Sequence, residues 1–187
     1  MQLPFSCDLT SYGSNIVASV SEELYEIIEE YINKYPVEYC FETPNIHVLI
    51  EKLKPFNLNV CFMAEYFLPD INRIKPLESG YETRLLGKEE LENYYLPQWS
   101  NALCEKRKYL DKLDIGAFNN GELIGLAGAS ADCDTMWQIG IDVLAQYRKQ
   151  GIAASLTSKL AIEILKRDIV PFYCCAWSNI KSAKNAI

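Results

Sequence analysis

One histidine, His47, stands among 187 residues. A zinc site of histidines and cysteines has little to draw on, and no C-x-x-C pair occurs among the seven cysteines. His47 falls on a stretch that reads as a helix surface, which leaves a cysteine nucleophile without a partner base. The cysteine count is odd. Cys61, Cys133, Cys174 and Cys175 fall in or beside apolar runs and read as small core residues, so seven free thiols in a reducing cytoplasm are expected. No apolar run approaches the roughly 20 residues that a membrane helix needs, and the first residues lack the basic and apolar segments of a signal peptide. Basic residues are outnumbered: 18 Lys and Arg against 25 Asp and Glu, a net charge of −7. That balance argues against a nucleic-acid footprint. An acidic surface suits steering of a cationic small molecule, and equally suits an ordinary soluble protein. Neither G-x-G-x-x-G nor G-x-x-x-x-G-K-[ST] occurs, so the two common phosphate-binding turns are absent. Asp132 and Asp134 stand close together, but they read as a solvated turn rather than a metal site. Repeats and low-complexity tracts are missing too.

What is present centres on residues 136–168. Trp137 to Leu144 is an apolar, β-branched run bounded by polar residues, the pattern of a buried strand. A short basic turn follows, Gln146 to Gln150. Gly151 then opens a helix whose apolar positions Ile152, Leu156, Leu160 and Ile164 recur every four residues. The first N–H groups of a helix lack intrahelical partners, and the dipole there favours an anion. Gly151, Ala153 and Ala154 keep side chains out of the way, while Arg148 and Lys149 add positive charge. The residues describe a phosphate cradle; a plain βαβ unit with a basic turn is the simpler alternative.

Arg148-Lys149-Gln150-Gly151-Ile152-Ala153 resembles [R/Q]-x-x-G-x-[G/A], the pyrophosphate-binding signature of the GNAT acetyltransferases. The strand ending in Ile141-Asp142-Val143 resembles that family's fourth strand. Val170 to Trp177, ending in Ser178-Asn179, resembles its fifth, with Asn179-x-x-Ser182 opening another helix. Upstream, Ile115–Phe118, the Asn120-Gly121 turn and Leu123–Ala129 look like the hairpin of strands two and three, and Tyr81–Leu86 like strand one. The resemblance covers roughly residues 80 to 187. It implies an α/β fold with a mixed, mostly antiparallel sheet flanked by helices. It also implies acetyl-CoA as cosubstrate and an N-acetyltransferase acting on a primary amine of a small molecule or peptide, without a metal. Cofactor contacts are then expected from Ile141, Val143, Arg148, Lys149, Gln150, Gly151, Ile152, Ala153, Ala154, Asn179 and Ser182. Asp142 is the candidate base. Helices expected over 89–95 and 99–111 would line the acceptor groove, making Tyr94, Tyr95 and Trp99 candidate acceptor contacts, with core packing the alternative for each. The family's acidic tyrosine would fall near Ala186 and is missing. Relatives continue with a G-F pair and two more strands, so the chain reads as short at its C-terminus. These departures keep a second reading open, a non-catalytic CoA-binding sensor or regulatory module. A plain α/β interaction domain is a third, and a homodimer is compatible with all three.

Ahead of this region, Ser19-Val20-Ser21-Glu22 reads as a capping box before a helix bearing Leu24, Ile27, Ile28, Tyr31 and Ile32. Thr43-Pro44 starts a second helix, with Ile46, Leu49, Ile50 and Leu53 inward. Leu58 to Leu68 alternates like a strand. The polar stretch Glu78-Ser79-Gly80 marks the expected boundary between an N-terminal α/β region, 1–78, acting as a lid or degenerate half-domain, and an acetyltransferase domain, 79–187. In E-L-I-G-L-A-G-A-S-A, residues 122–131, the small residues predict close approach of a backbone, a helix or a ligand.

Overall fold

The computed structural model describes residues 5–187. They form two compact units, which divide between Cys61 and Phe62.

The first unit opens with an antiparallel hairpin, β1 (Cys7–Ser11) and β2 (Ile16–Val20). This hairpin occupies the stretch whose pattern is weak in sequence. It also displaces the expected capping box: Ser19 lies in the ladder opposite Asp8, and the chain enters the helix through a short 3-10 turn, Glu22–Leu24. Ser21 precedes that turn and makes no side-chain cap bond. Helices α1 (Tyr25–Lys34) and α2 (Thr43–Leu53) follow, the latter with proline in its first turn, where a missing N–H is harmless. Leu24, Ile28, Tyr31, Leu49 and Leu53 are buried together, as the periodicity predicts. The Tyr31 hydroxyl donates to the Cys40 carbonyl at 2.5 Å, which satisfies a fully buried tyrosine. His47 is exposed on α2.

The second unit is built on a six-stranded sheet in the order β3-β8-β7-β6-β5-β4. Its strands are β3 (Ala64–Phe67), β4 (Glu82–Leu85), β5 (Asp111–Asn119), β6 (Glu122–Ser130), β7 (Met136–Val143) and β8 (Val170–Ala176). All pairs are antiparallel except β7 with β8. The crossover between that parallel pair is α4 (Ile152–Leu165). Between β4 and β5 lie a short α-helix, α3 (Lys88–Leu91), and three 3-10 turns. After β8 comes α5 (Ile180–Ala186). Only residues 64–67 of the expected 58–68 strand pair with a neighbour. That pairing with β8 draws β3 into the sheet, so the units divide at 61/62 rather than at the polar stretch near 78.

The sheet carries a core on each face. On one, α4 lays Ile152, Leu156, Leu160 and Ile164 against Ile115, Ile124, Ala127 and Ile139. On the other, Leu86, Leu91, Trp99, Ala102 and Leu103 cover Phe118, Leu123 and Leu126. The small residues of β6 are explained on both sides. A Cβ on Gly125 would lie 2.7 Å from Ile152 of α4, and one on Gly128 would lie 2.2 Å from the Ala102 carbonyl oxygen. The helix expected over 99–111 is instead two 3-10 turns, Pro97–Trp99 and Glu105–Leu110, joined by a turn at 100–102 and irregular chain, and Asp111 already belongs to β5. The apolar residues at 99, 102 and 103 repeat like a helix because an irregular loop lays them on the sheet.

No disulfide joins any pair of the seven cysteines. Cys61 and Cys133 are exposed, against expectation. Cys61 lies outside any strand, and Cys133 sits in the β6–β7 turn. The Cys133 thiol contacts the Thr135 hydroxyl at 3.6 Å and accepts from the Met136 N–H at 3.2 Å. The Thr135 hydroxyl holds its pKa below the ordinary thiol value, aided by the backbone N–H groups of 135 and 136. A lowered pKa enlarges the thiolate fraction near neutrality. Cys133 should therefore react first with a disulfide reagent at pH 7, and Cys133→Ser should remove that first phase. An unchanged progress curve would place the reactive thiol elsewhere.

Candidate active site

The strand-to-helix turn is built from residues in unusual backbone positions. A 3-10 turn, Ala145–Tyr147, follows β7; Lys149 then takes φ +64° and Gly151 φ +78°. Glycine adopts the second at little cost. Gly151 is the N-cap of α4, and its carbonyl accepts from Ser155 at 3.0 Å. The space above Gly151 is open: an added Cβ would meet nothing within 4 Å. Arg148 Nε donates to the Val143 carbonyl at 3.0 Å, tying the turn back to the end of β7. The Tyr81 hydroxyl donates to Gln150 Oε1 at 2.5 Å. Unhindered N–H groups at a helix start, two cations and an open space are features that could hold an anion such as a pyrophosphate.

The second element is a split in the sheet. The parallel ladder of β7 and β8 ends at the pair Ile139 and Tyr173. Beyond it β7 continues to Val143 on its bonds to β6, and β8 continues to Ala176 on its bonds to β3. The edge Gly140–Val143 is thus open on one side. A cleft of about 900 Å³ fills the gap and runs to the start of α4. It is lined by Ile141, Asp142 and Val143 from β7, by Arg148, Lys149, Gly151, Ile152, Ala153 and Ala154 from the cradle, and by Asn179 and Ser182 from the start of α5. Of the residues expected to touch the cofactor, Gln150 alone stands outside this lining. Asn179 caps α5, accepting from Ser182 N at 3.2 Å.

Asp142 borders the cleft, but its carboxylate is engaged. Oδ2 accepts from Asn101 N at 2.8 Å and from Ala102 N at 3.0 Å, and Oδ1 accepts from Asn101 Nδ2 at 2.6 Å. These bonds anchor the loop that follows Trp99. Tyr94, Tyr95 and Trp99 do not reach the cleft lining. Trp99 is buried in the second core, and Tyr94 and Tyr95 pack against it. The Tyr95 hydroxyl donates to Asp111 Oδ2 at 2.9 Å, and its ring carries the Lys108 ammonium 4.2 Å from its centre. Burial first, then Asp111, pushes its hydroxyl pKa far up. Aromatics at near-helical spacing serve here as core.

Sequence reasoning missed several groups in the cleft, among them Asn101, Gln138, Tyr173, Lys181, Lys184 and Asn185. Tyr173 shares a hydroxyl–hydroxyl bond of 2.8 Å with Ser182. Burial raises its pKa, so it remains protonated at neutral pH. The alternation of residues 170–176 marks Tyr173 as inward, though nothing local tells core from cleft. Among the described residues no group of three or more His, Cys, Asp or Glu could hold a metal, and no helix is long and apolar enough to cross a membrane.

The sheet thus parts between two parallel strands, beside a helix N-terminus with open space at Gly151. The family model for GNAT acetyltransferases matches residues 13–186, and the chain belongs to that family. The family is one of acetyltransferases. The fold resembles a GCN5-related N-acetyltransferase-like protein from Streptococcus suis, with a TM-score of 0.54 and 17% identity over 96% of this chain and 76% of that one. It also resembles a GNAT-family protein from Novosphingobium aromaticivorans, with a TM-score of 0.51 and 18% identity. That likeness covers 65% of this chain and 55% of the other, so the chain spans little more than half of that relative. No curated protein matches the sequence.

Proposed function

We propose that this protein transfers the acetyl group of acetyl-CoA to the primary amine of a small molecule or peptide. The observation that carries the reading is the split between β7 and β8, which ends at the cradle. The cradle of residues 148–154 holds the pyrophosphate. The open edge at Ile141–Val143 offers backbone groups to the pantetheine, in the manner of an added strand. A backbone N–H there polarises the thioester carbonyl, an electrostatic aid of the kind that dominates acyl transfer. The departing sulfur needs a proton, and Tyr173 is a protonated hydroxyl in the same cleft, held by Ser182. Asp142 is the sole carboxylate among the lining residues, and three N–H bonds occupy it. The amine therefore gives its proton to water rather than to a side chain. That same occupied carboxylate favours the second reading, a CoA-binding sensor without turnover.

Thiol release from acetyl-CoA across a panel of polyamines, aminoglycosides and peptide amines tests the reading. Turnover is expected with at least one class, and Tyr173→Phe should lower it about ten- to a hundredfold while CoA affinity holds. CoA at a hundred times its dissociation constant should stabilise the fold by about 2.7 kcal/mol. Stabilisation without turnover would support the sensor; no stabilisation would remove both.

A further inference from the structure

Resting on the acetyl-transfer reading, we propose that Asn101 recognises the acceptor amine and that Asp142 is its positioning residue rather than a proton acceptor. Asn101 is exposed, lines the cleft and follows the buried Trp99 anchor. Its backbone is fixed by a notch in the sheet. Gly128 and Gly140 stand opposite each other in the β6–β7 ladder. A Cβ on Gly140 would lie 1.8 Å from the Asn101 carbonyl oxygen, and one on Gly128 would lie 2.2 Å from that of Ala102. Only two facing glycines let the loop lie flat at this point.

Asp142 fixes the side chain. A carboxylate only accepts hydrogen bonds, so the amide turns its NH₂ toward Oδ1 at 2.6 Å. The amide oxygen must then point away from Asp142. Among the described residues nothing donates to it. The cleft is thus presented with one oriented, neutral acceptor, a partner for an N–H donor.

Neutrality suits the chemistry. A free carboxylate beside the amine would favour the ammonium form and hold its proton, raising the pKa of the group that must attack as a free base. An amide oxygen holds the amine with a smaller bias toward the charged form. Asp142 is suited to its task for the complementary reason: three N–H donors stabilise its charge and take three of its roughly four lone-pair sites.

The test uses the amine turned over fastest in the panel, with acetyl-CoA, in wild type, Asn101→Ala and Asp142→Asn. Asn101→Ala should raise the KM for the amine about tenfold or more, the effect of removing one directional bond, with kcat and CoA affinity within about twofold. Asp142→Asn should give the same split, because an amide at 142 no longer holds Asn101 Nδ2 as firmly. Its pH–rate profile should keep the wild-type shape. The double variant should cost little more than Asn101→Ala, since both act through one contact. A fall in kcat of a hundredfold with loss of the acidic limb would make Asp142 the base and overturn the proposal. So would an unchanged amine KM in Asn101→Ala, a variant that removes only an exposed side chain and keeps the fold. Should wild type turn over no amine, the acetyl-transfer reading falls and this one with it. Turnover with an unaffected Asn101→Ala sinks this proposal alone.

Discussion

Ala153→Glu is expected to abolish CoA binding in a protein that stays folded. Ala153 lies in the first turn of α4 and lines the cleft. A carboxylate there would occupy the space of the phosphate oxygens and repel them. The helix itself tolerates the change: glutamate is a good helix former, and its charge suits a helix N-terminus. The comparable change at Gly151 would be ambiguous, because φ +78° strains any other residue. Affinity should fall at least a hundredfold by calorimetry, with the melting temperature kept within a few degrees. A folded variant that binds CoA normally would place the phosphates elsewhere.

Wild-type stability is expected to decline between about pH 4 and pH 8, and Asp114→Asn should flatten that decline. Asp114 is buried on β5, and its Oδ1 has no hydrogen-bond partner among the described residues. Burial first, then the charge of Asp111, raises its pKa to about 8. The unfolded chain releases this proton near pH 4, while the folded chain keeps it to about pH 8. Between those values the native state binds more protons, so each rise in pH favours unfolding. A shift of about four pKa units sets an upper limit on the order of 5 kcal/mol, which water penetration reduces. Asparagine has the same size and never ionises. The stability of Asp114→Asn minus that of wild type should grow through this window and level off above it, as read by urea unfolding at several pH values. The subtraction cancels the titrating groups that do not interact with Asp114; Asp111 and Tyr95, which do, respond to its replacement. A difference that stays constant with pH would mean that Asp114 is solvated or paired.

The helix stripes of the first unit and the strand–turn–helix at 136–165 were legible because their signals are local. Leu24, Ile28 and Tyr31, and Ile152, Leu156 and Leu160, repeat at the helical period and are buried. The hairpin at 7–20 was not legible, since short half-exposed strands carry little alternation. The loop after Trp99 misled for the opposite reason: residues that face a sheet from an irregular segment mimic a helix stripe.

By itself the sequence determined the strand, turn and helix on which the cradle is proposed. A phosphate site at a helix start needs only contiguous residues: two cations, a glycine and two alanines within seven positions. Composition likewise determined that a histidine-based metal site had nothing to be made from. Tertiary structure decided the rest. The open edge of β7 exists because β8 leaves it after Tyr173 to follow β3, a pairing between strands more than a hundred residues apart in sequence. Asp142 could be read as a free carboxylate only until the fold brought Asn101, 41 positions away, onto it. Hydrogen-bond partners that distant leave no periodicity behind, so only the folded chain could say which groups in the cleft are free and which are already held.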